Sequence, residues 1–270
     1  MKIVVIIQAR TGSTRLPGKV LMPLAGAPLL QRLVERVLAA ETVCEIVVAT
    51  TTDMMDDPIR GLCRRIGVRC FSGHPYDLLD RHYQAGIAEQ ADAVVKIPSD
   101  CPLVDPAVID RVLTFYKENS RRYDYVSNLN PPSYPDGNDV EVISMTALET
   151  AWTEARKPFE REHTTPFIWE RPKRFRIGNI RWETGLDYSM SHRWTIDYVE
   201  DYALVNAIYD ELWTQSRPIF AIDDILKLLS EHRGIYELNA SYAGVNWYRH
   251  HLHELKTKTR KDTRILDDAA

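Results

Sequence analysis

A short loop near the amino terminus carries residue types that bind phosphate groups. The sequence QARTGSTRLPGK, residues 8–19, contains Gly12 and Gly18, where the backbone can approach a ligand closely and present its N–H groups to an anion. Three cationic side chains add charged donors of the kind that hold a triphosphate: Arg10, Arg15 and Lys19. The spacing fits neither GxxxxGKS/T nor GxGxxG, so these two phosphate motifs are not indicated. The alternative is a surface loop whose charges are solvated.

Two aspartates follow strand-like segments that lie almost a hundred residues apart. Asp100 lies in VVKIPSDCPLVDP, where prolines end the strand, and Asp197 lies in RWTIDYVED, just before a helical pattern. Mg²⁺ bound to substrate phosphates usually takes only one or two protein carboxylates, and water and phosphate oxygens fill its other positions. The pair therefore suits a magnesium site. From spacing alone, a loop cap at Asp100 and a helix N-cap at Asp197 explain the same residues.

Hydrophobic patterning indicates the elements that must position these residues. Short apolar runs such as IVVII, IVVA and AVVKI alternate with amphipathic stretches, which predicts β-α-β units. Such runs are typical of strands buried on both faces, so we expect an α/β fold of three layers, with a mostly parallel sheet between helices. Ligands of these folds bind beyond the carboxyl ends of the strands. The predicted strands are 2–7, 45–50, 68–71 and 93–97, and the predicted helices are 29–40, 57–66 and 76–89.

The pattern changes between residues 124 and 182. The strand-like segments DYVSN, DVEVIS and RFRIGNIRW are separated by the turn-rich NLNPPSYPDGN and by helical stretches at 146–156 and 159–169. This predicts an insertion that covers the sheet or closes over a ligand. RWTID then reads as a returning strand, followed by helices at 198–212 and 222–230. We expect the polar end of the chain, residues 256–270, to be frayed.

Composition limits the class of protein and its partners. The chain has 270 residues, 44% of them hydrophobic, which is enough for a substantial core. It has 34 basic and 38 acidic residues and a net charge of −4, so no global field attracts nucleic acid or an anionic membrane. The cysteines form no CxxC pair, and we find no signal peptide and no long apolar run, so we expect a cytoplasmic protein. The four cysteines are Cys44, Cys63, Cys70 and Cys101.

The loop segment IIQARTGSTRLPGKVL resembles the amino-terminal signature of cytidylyltransferases related to the CMP-Kdo and CMP-acylneuraminate synthetases. The likeness is strongest to the branch named for spore coat polysaccharide biosynthesis protein F. It extends over nearly the whole chain, through EIVVATTTDMMDDPI, YDLLDRHYQA, VVKIPSDCPLVDP, YPDGNDVEV, EREHTTPFI and RWTIDYVEDYALV. The segment SDCP departs from the GDxP form of the Kdo enzymes.

The resemblance implies a Rossmann-like nucleotidyltransferase fold of the GT-A-like kind, with an inserted α+β region. By this reading, residues 1–235 form the nucleotidyltransferase domain, and an insertion at about 124–190 serves acceptor binding or dimerisation. Residues 236–270 are expected to form a helical extension and a polar tail. Related enzymes pair through a comparable region, so a homodimer is expected.

The implied reaction joins CTP to an acceptor and releases pyrophosphate. By the resemblance, four residues of the loop hold the CTP phosphates: Arg10, Ser13, Arg15 and Lys19. Gln8 and Ala9 are expected near the base and the ribose, and Gly12 and Ser99 are added to the predicted nucleotide contacts.

The implied cofactor is Mg²⁺, because relatives carry metal-binding aspartates at the places that match Asp100 and Asp197. Phosphoryl transfer requires little covalent chemistry of the protein, so positioning and charge neutralisation should dominate. We therefore expect the catalytic contribution to come from Arg10, Lys19 and Asp100.

The acceptor is expected to be an acidic sugar or a small phosphorylated compound, used for surface polysaccharide. Asp139 and Glu141 share one face of a predicted strand. In FEREHTTPF, at a predicted helix start, His163 suits a donor or weak base and Arg161 suits an acidic acceptor. Arg193 could reach the same pocket. The alternatives are glutamates favoured by the dipole at a helix start, a structural histidine and, for Arg193, charge at a strand edge.

Two other functions are compatible with the same residues. A nucleotide-sugar glycosyltransferase shares the sheet and a metal-binding carboxylate, but the expected strand end reads PSDCP and contains no DxD motif. A non-catalytic nucleotide-binding scaffold would keep the cationic loop without turnover. Only the enzyme readings require a second substrate.

Overall fold

A single seven-stranded sheet forms the centre of the protein in a computed structural model, which describes residues 1–43 and 45–266. Cys44 and the last four residues of the predicted polar tail lie outside the described residues. The strand order is β5-β4-β1-β6-β8-β7-β9, and β2 pairs with β3 in a separate small hairpin. The strands are β1 Ile3–Gln8, β2 Pro23–Leu24, β3 Ala27–Pro28, β4 Ile46–Thr51, β5 Arg69–Gly73, β6 Ala93–Pro98, β7 Tyr125–Ser127, β8 Glu141–Ser144 and β9 Ile177–Asn179.

Helices cover both faces of this sheet, because alternate strand residues point to opposite sides. Val5 and Ile7 of β1 pack in a core with α1, α2, α4, α8 and α9, whereas Val4 and Ile6 pack with α3, α5, α6 and α7. The three-layer α/β prediction is thus confirmed. The helices are α1 Leu29–Leu38, α2 Asp57–Ile66, α3 Leu78–Ala88, α4 Pro106–Asn119, α5 Met145–Glu154, α6 Pro158–His163, α7 Pro166–Trp169, α8 Val199–Leu212, α9 Ile222–Glu231 and α10 Arg233–Tyr236.

Strand register brings the two predicted halves of the site together. Strand β1 pairs in parallel with both β4 and β6, and Gln8 at the end of β1 is opposite Pro98 at the end of β6. The loop that follows β1 and the loop that contains Asp100 therefore leave the sheet at the same edge. This is the edge at which ligands of open α/β sheets bind.

The region at 124–190 differs from the expected insertion. Strands β7, β8 and β9 continue the main sheet, with β8 antiparallel to β6 and β9 parallel to β7. The predicted strand RWTID is wrong: it contains only an isolated bridge between Asp136 and Arg193. Its backbone N–H groups instead bond to two loops, from Trp194 to Asp136 O and from Ile196 to Asp100 O. Tertiary contacts therefore replace a strand ladder here.

Helix α4 was not predicted, although its start carries clear signals. The Asp105 side chain accepts a hydrogen bond from Ala107 N, and Pro106 occupies the first turn.

The carboxyl-terminal segment packs on the body of the protein, so the expected fraying is wrong for the described part. Glu170 accepts hydrogen bonds from Lys256 N and Thr257 N, and Arg264 N donates to Gly244 O. Leu255 and Lys258 are buried. Hydrogen bonds therefore hold this segment on the body of the protein, although it contains few apolar residues.

No helix among residues 1–43 and 45–266 is both long and apolar enough to cross a bilayer.

Candidate active site

The cationic loop after β1 is a folded turn, anchored by a buried carboxylate. Asp56 accepts hydrogen bonds from Thr11 N at 2.8 Å and Thr11 Oγ1 at 2.7 Å. Its other oxygen accepts from Thr51 Oγ1 at 2.5 Å and Thr50 Oγ1 at 3.1 Å. Gly18 N donates to Thr11 O, and Gly18 has φ +72°, a conformation that favours glycine. The loop is thus fixed to the ends of β1 and β4.

Lys19 lies between the two predicted metal ligands. Its Nζ is 2.9 Å from Asp100 Oδ2 and 3.1 Å from Asp197 Oδ1, and it also donates to Ile196 O at 2.5 Å. Burial would lower the pKa of Lys19, but the two carboxylates outweigh burial and raise it. The ammonium is therefore charged, and both carboxylates converge on a single cation.

Asp197 is surrounded by positive charge. Arg15 Nη2 lies 2.7 Å from Asp197 Oδ1, and Arg193 Nη2 lies 3.0 Å from Asp197 Oδ2. Burial would raise the pKa of Asp197, but Lys19, Arg15 and Arg193 lower it well below its ordinary value. Asp197 is accordingly ionised. The N-cap alternative is not supported, because Asp201 rather than Asp197 accepts hydrogen bonds from the N–H groups before α8.

Arg193 joins three carboxylates and the carboxyl-terminal segment. Its side chain is 2% exposed, and it ion-pairs with Asp201 at 3.1 Å, Asp197 at 3.0 Å and Asp136 at 3.3 Å. It also donates to Val245 O at 2.6 Å. Burial would lower the pKa of Arg193, but these carboxylates raise it. Arg193 is therefore a structural centre of the site, and the strand-edge alternative is wrong.

A cavity of about 210 Å³ opens beside these ion pairs. Eight of the predicted site residues line it: Gln8, Arg15, Asp100, Asp139, Glu141, His163, Arg193 and Asp197. Lys19 contacts this lining through Asp100 and Asp197. Ala9 and Ser99 are buried, and each is the sequence neighbour of a residue that lines the cavity. Ser13 is half-buried, and Arg10 and Gly12 are exposed on the loop.

A buried polar network forms one side of the cavity. Lys96 Nζ is 2.5 Å from Glu141 Oε1, and Tyr125 Oη donates to Glu141 Oε2 at 2.6 Å. Both oxygens of Glu141 are thereby used within the protein. Asp139, its neighbour on the cavity, accepts only a 3.3 Å hydrogen bond from Gly137 N among the bonds found in the described chain. Glu141 is therefore neutralised by Lys96, whereas Asp139, predicted on the same face, has only one weak hydrogen bond in the described chain.

An aromatic wall forms another side. The rings of His163 and Trp247 stack with centroids 3.8 Å apart and an interplanar angle of 15°. Trp169 and Tyr248 continue the wall. Burial lowers the pKa of His163 to about 3, with Lys96 adding to the effect, so the imidazole is neutral at physiological pH.

The structure does not bring Arg161 to the cavity. It lies in α6, where its Nε donates to Asp77 Oδ2 at 2.5 Å and its Nη1 donates to Trp152 O at 2.8 Å. His163 and Arg161 lie two residues apart on a helix and therefore point in different directions. The helix also begins at Pro158, so both residues belong to its end and not to its start.

Three contributions to the site were not predicted. Asp56 anchors the loop, Lys96 neutralises Glu141, and Trp247 stacks on His163. A lysine inside the apolar run AVVKI was a visible signal, since a buried lysine requires a partner. The aromatic pair in VNWYRH was another, but it lies in residues 236–270, which the sequence analysis assigned to a helical extension and a polar tail.

Gly137 positions the loop that carries Asp136 and Asp139. It has φ +109°, and a Cβ at this residue would lie 2.8 Å from the Trp194 carbonyl carbon and 2.9 Å from Thr195 N. We expect Gly137→Ala to lower the free energy of unfolding by about 1–3 kcal/mol, because the new Cβ would overlap backbone atoms of Trp194 and Thr195 and force them to move. Urea denaturation measures this change. Gly234→Ala is the control, since nothing lies within 4 Å of a Cβ there; equal losses in the two variants would contradict the expectation.

The fold and the paired loops define a nucleotidyltransferase-like α/β enzyme. The model of the cytidylyltransferase family matches residues 4–249, and the chain belongs to this family. The Bacillus subtilis spore coat polysaccharide biosynthesis protein SpsF is 31% identical over 235 residues, which cover 85% of this chain and 95% of that protein.

Solved structures agree with this assignment. A cytidylyltransferase from Leptospira borgpetersenii superposes with a TM-score of 0.83 and 30% identity, covering 88% of this chain and 97% of the other. CMP:2-keto-3-deoxy-manno-octonic acid synthetase, solved with CTP, shares the fold with a TM-score of 0.61 at 17% identity, covering 78% and 99%. The chain is therefore a nucleotidyltransferase of the cytidylyltransferase fold, as the sequence predicted.

Proposed function

We propose that the protein transfers CMP from CTP to a small sugar or phosphorylated acceptor, with release of pyrophosphate, in the synthesis of a surface polysaccharide. One observation carries this proposal: Lys19, Asp100 and Asp197 converge beside a cavity of about 210 Å³, at the edge of the sheet where β1 and β6 end. Membership of the cytidylyltransferase family supports CTP as the nucleotide. The likeness to SpsF supports the polysaccharide role.

The carboxylates fit a magnesium ion bound mainly through the nucleotide. Among the described residues, no three His, Cys, Asp or Glu side chains are arranged so that they could hold a metal ion together. Asp100 and Asp197 already meet at one cation, the Lys19 ammonium, and they supply the hard oxygen donors that Mg²⁺ prefers. We propose these two residues as its ligands; when bound, the ion would neutralise charge on the phosphate oxygens.

Side chains of the protein would bind the nucleotide and orient its phosphates. Arg15 and Lys19 provide donors for the phosphates, as does the exposed Arg10 on the same loop. Gln8 lines the cavity, and its Oε1 is buried without a hydrogen-bond partner among the described residues, so we propose that it accepts a hydrogen bond from the amino group of cytosine. An acceptor oxygen would attack the α-phosphorus in line with the departing pyrophosphate. Charge neutralisation by the loop would favour this step.

A pyrophosphate-release assay tests the proposal. It uses each of the four nucleoside triphosphates, Mg²⁺, and a panel of keto-acid sugars and small phosphates. We expect release with CTP and at least one acceptor. Tight CTP binding without release for any acceptor would instead support the scaffold function, and hydrolysis of a nucleotide sugar without pyrophosphate would support a glycosyltransferase. The homodimer stays a prediction, which sedimentation velocity would test.

A further inference from the structure

A second cavity lies outside the active site, on the carboxyl-terminal segment. It is open, has a volume of about 530 Å³, and shares no lining residue with the active-site cavity. No aspartate or glutamate among the described residues lines it, whereas three permanently charged cations do. These cations are Arg249, Lys258 and Arg260.

The surrounding sequence adds to this positive charge. Residues 249–264 contain six lysines and arginines and two acidic residues, in a chain whose net charge is −4. Both acidic side chains have other partners: Glu254 Oε2 lies 3.8 Å from Lys157 Nζ, and Asp262 accepts hydrogen bonds from Thr259 N and Oγ1. Within the part of the chain that the structure describes, none of the six cations forms an ion pair. The segment therefore carries positive charge that neighbouring carboxylates do not neutralise.

Lys258 is the cation that gains most from a counter-ion, because it is buried. The residue is 6% exposed, and its Nζ donates a single hydrogen bond, to Leu129 O at 3.3 Å. The ammonium also lies 4.9 Å from the ring centroid of Tyr248 and 5.8 Å from that of Trp169. Burial lowers the pKa of Lys258, and more distant carboxylates oppose this only in part. A buried ammonium in this situation is stabilised by an anion placed beside it.

The two arginines add donors with the geometry that phosphate requires. Arg249 is half-buried and donates to Tyr198 Oη and His250 Nε2, both at 3.0 Å, so neither of these partners is a carboxylate. Arg260 is exposed, and its guanidinium makes no hydrogen bond or ion pair with the described residues. A guanidinium binds two phosphate oxygens through parallel N–H bonds. The cations of the active site, by contrast, are already ion-paired.

We propose that this second cavity binds an anion that carries a phosphate group, with Arg249, Lys258 and Arg260 as its counter-ions. Three cations without carboxylate partners match a group of more than one negative charge. A phosphate monoester carries a charge of about −1.5 to −2 at neutral pH, whereas a monocarboxylate carries a single charge. The inference goes beyond the proposed function, since it requires neither CTP nor an acceptor.

Calorimetric titration of the full chain with inorganic pyrophosphate, without metal and at fixed ionic strength, tests this proposal. We expect two binding events, one at the nucleotide loop and one at the second cavity. Arg15→Met should weaken only the first, and Arg260→Met only the second, each by about tenfold or more. Lys261→Met is the matched control, because it removes an exposed cation of the same segment that does not line the cavity; it should change neither event.

Lys258→Met tests the buried counter-ion directly. We expect it to weaken the second event by about tenfold or more, because the buried charge that faces the anion is lost. Circular dichroism establishes whether the variant folds. Should it fail to fold, Arg260→Met still decides the question, since Arg260 is exposed and makes no contact that folding depends on.

Two further titrations identify the ligand group and its source. Acetate at the same ionic strength should bind at the second cavity about tenfold more weakly than pyrophosphate. Sedimentation with vesicles of phosphatidylglycerol, compared with phosphatidylcholine, shows whether a lipid supplies the phosphate. Binding of pyrophosphate that depends on Arg260 indicates a free ligand, and binding to phosphatidylglycerol alone with the same dependence indicates a lipid headgroup.

Four results would overturn the inference. They are an affinity unchanged in Arg260→Met, an equal loss in Lys261→Met, acetate binding as tight as that of pyrophosphate, and binding at the second cavity seen only after Asp267→Asn and Asp268→Asn are combined. The last would identify the chain's own carboxylates as the occupant. A single event that is lost in Arg260→Met but kept in Arg15→Met would support the second site and count against the proposed role of the nucleotide loop.

Discussion

Arg193→Met is expected to lower the free energy of unfolding by about 3–5 kcal/mol, because it leaves buried carboxylates without their shared cation. The guanidinium lies 3.0–3.3 Å from oxygens of Asp136, Asp197 and Asp201, and the Asp201 side chain is fully buried. Asp197 keeps Arg15 and Lys19, so the loss falls mainly on Asp201 and Asp136. Urea denaturation followed by circular dichroism measures the change.

Two further variants establish that charge compensation is the cause. Adding Asp201→Asn to Arg193→Met should recover part of the lost stability, since it removes one buried charge. Arg176→Met, which removes an exposed partner of Asp124, should cost far less. The explanation would be wrong if the exposed and buried arginine variants unfolded at the same urea concentration.

Asp100→Asn is expected to reduce turnover by about 100- to 1,000-fold, the range seen when one preorganised electrostatic group is removed from an active site. The variant should fold normally, because Lys19 keeps its bonds to Asp197 and to Ile196 O. Steady-state pyrophosphate release, measured over a range of Mg²⁺ concentrations, gives both the loss and its metal dependence.

The control for this variant is Asp223→Asn, an exposed residue in the first turn of α9. It should retain full turnover. If Asp100→Asn kept near-normal activity with an unchanged Mg²⁺ dependence, the proposed metal ligand would be wrong.

The sequence was sufficient to predict which residues meet at the carboxyl ends of the parallel strands. Buried parallel strands place their carboxyl ends at one edge of a sheet, so the patterning of IVVII and AVVKI already predicted that Arg15, Lys19 and Asp100 would meet. Asp197 was proposed from its place at the end of the predicted strand RWTID and from the resemblance, and the structure brings it to Lys19 without that strand. The register between Gln8 and Pro98 confirms the edge that both loops share.

The sequence was insufficient where tertiary contacts override local patterns. RWTID reads as a strand, but its N–H groups bond to the loops at Asp136 and Asp100. The charged Arg161 suggested a substrate contact, yet Asp77 from a distant segment binds it. No periodicity reveals such pairings, because they join residues far apart in the chain.

The two ends of the chain supply different parts of the site. Residues 8–19 form the cationic loop that we propose binds the nucleotide, whereas Asn246, Trp247 and Tyr248 line the cavity from the carboxyl-terminal segment. If that segment sets the choice of acceptor, changes confined to the last tenth of the chain can alter specificity while the chemistry of nucleotide activation is retained.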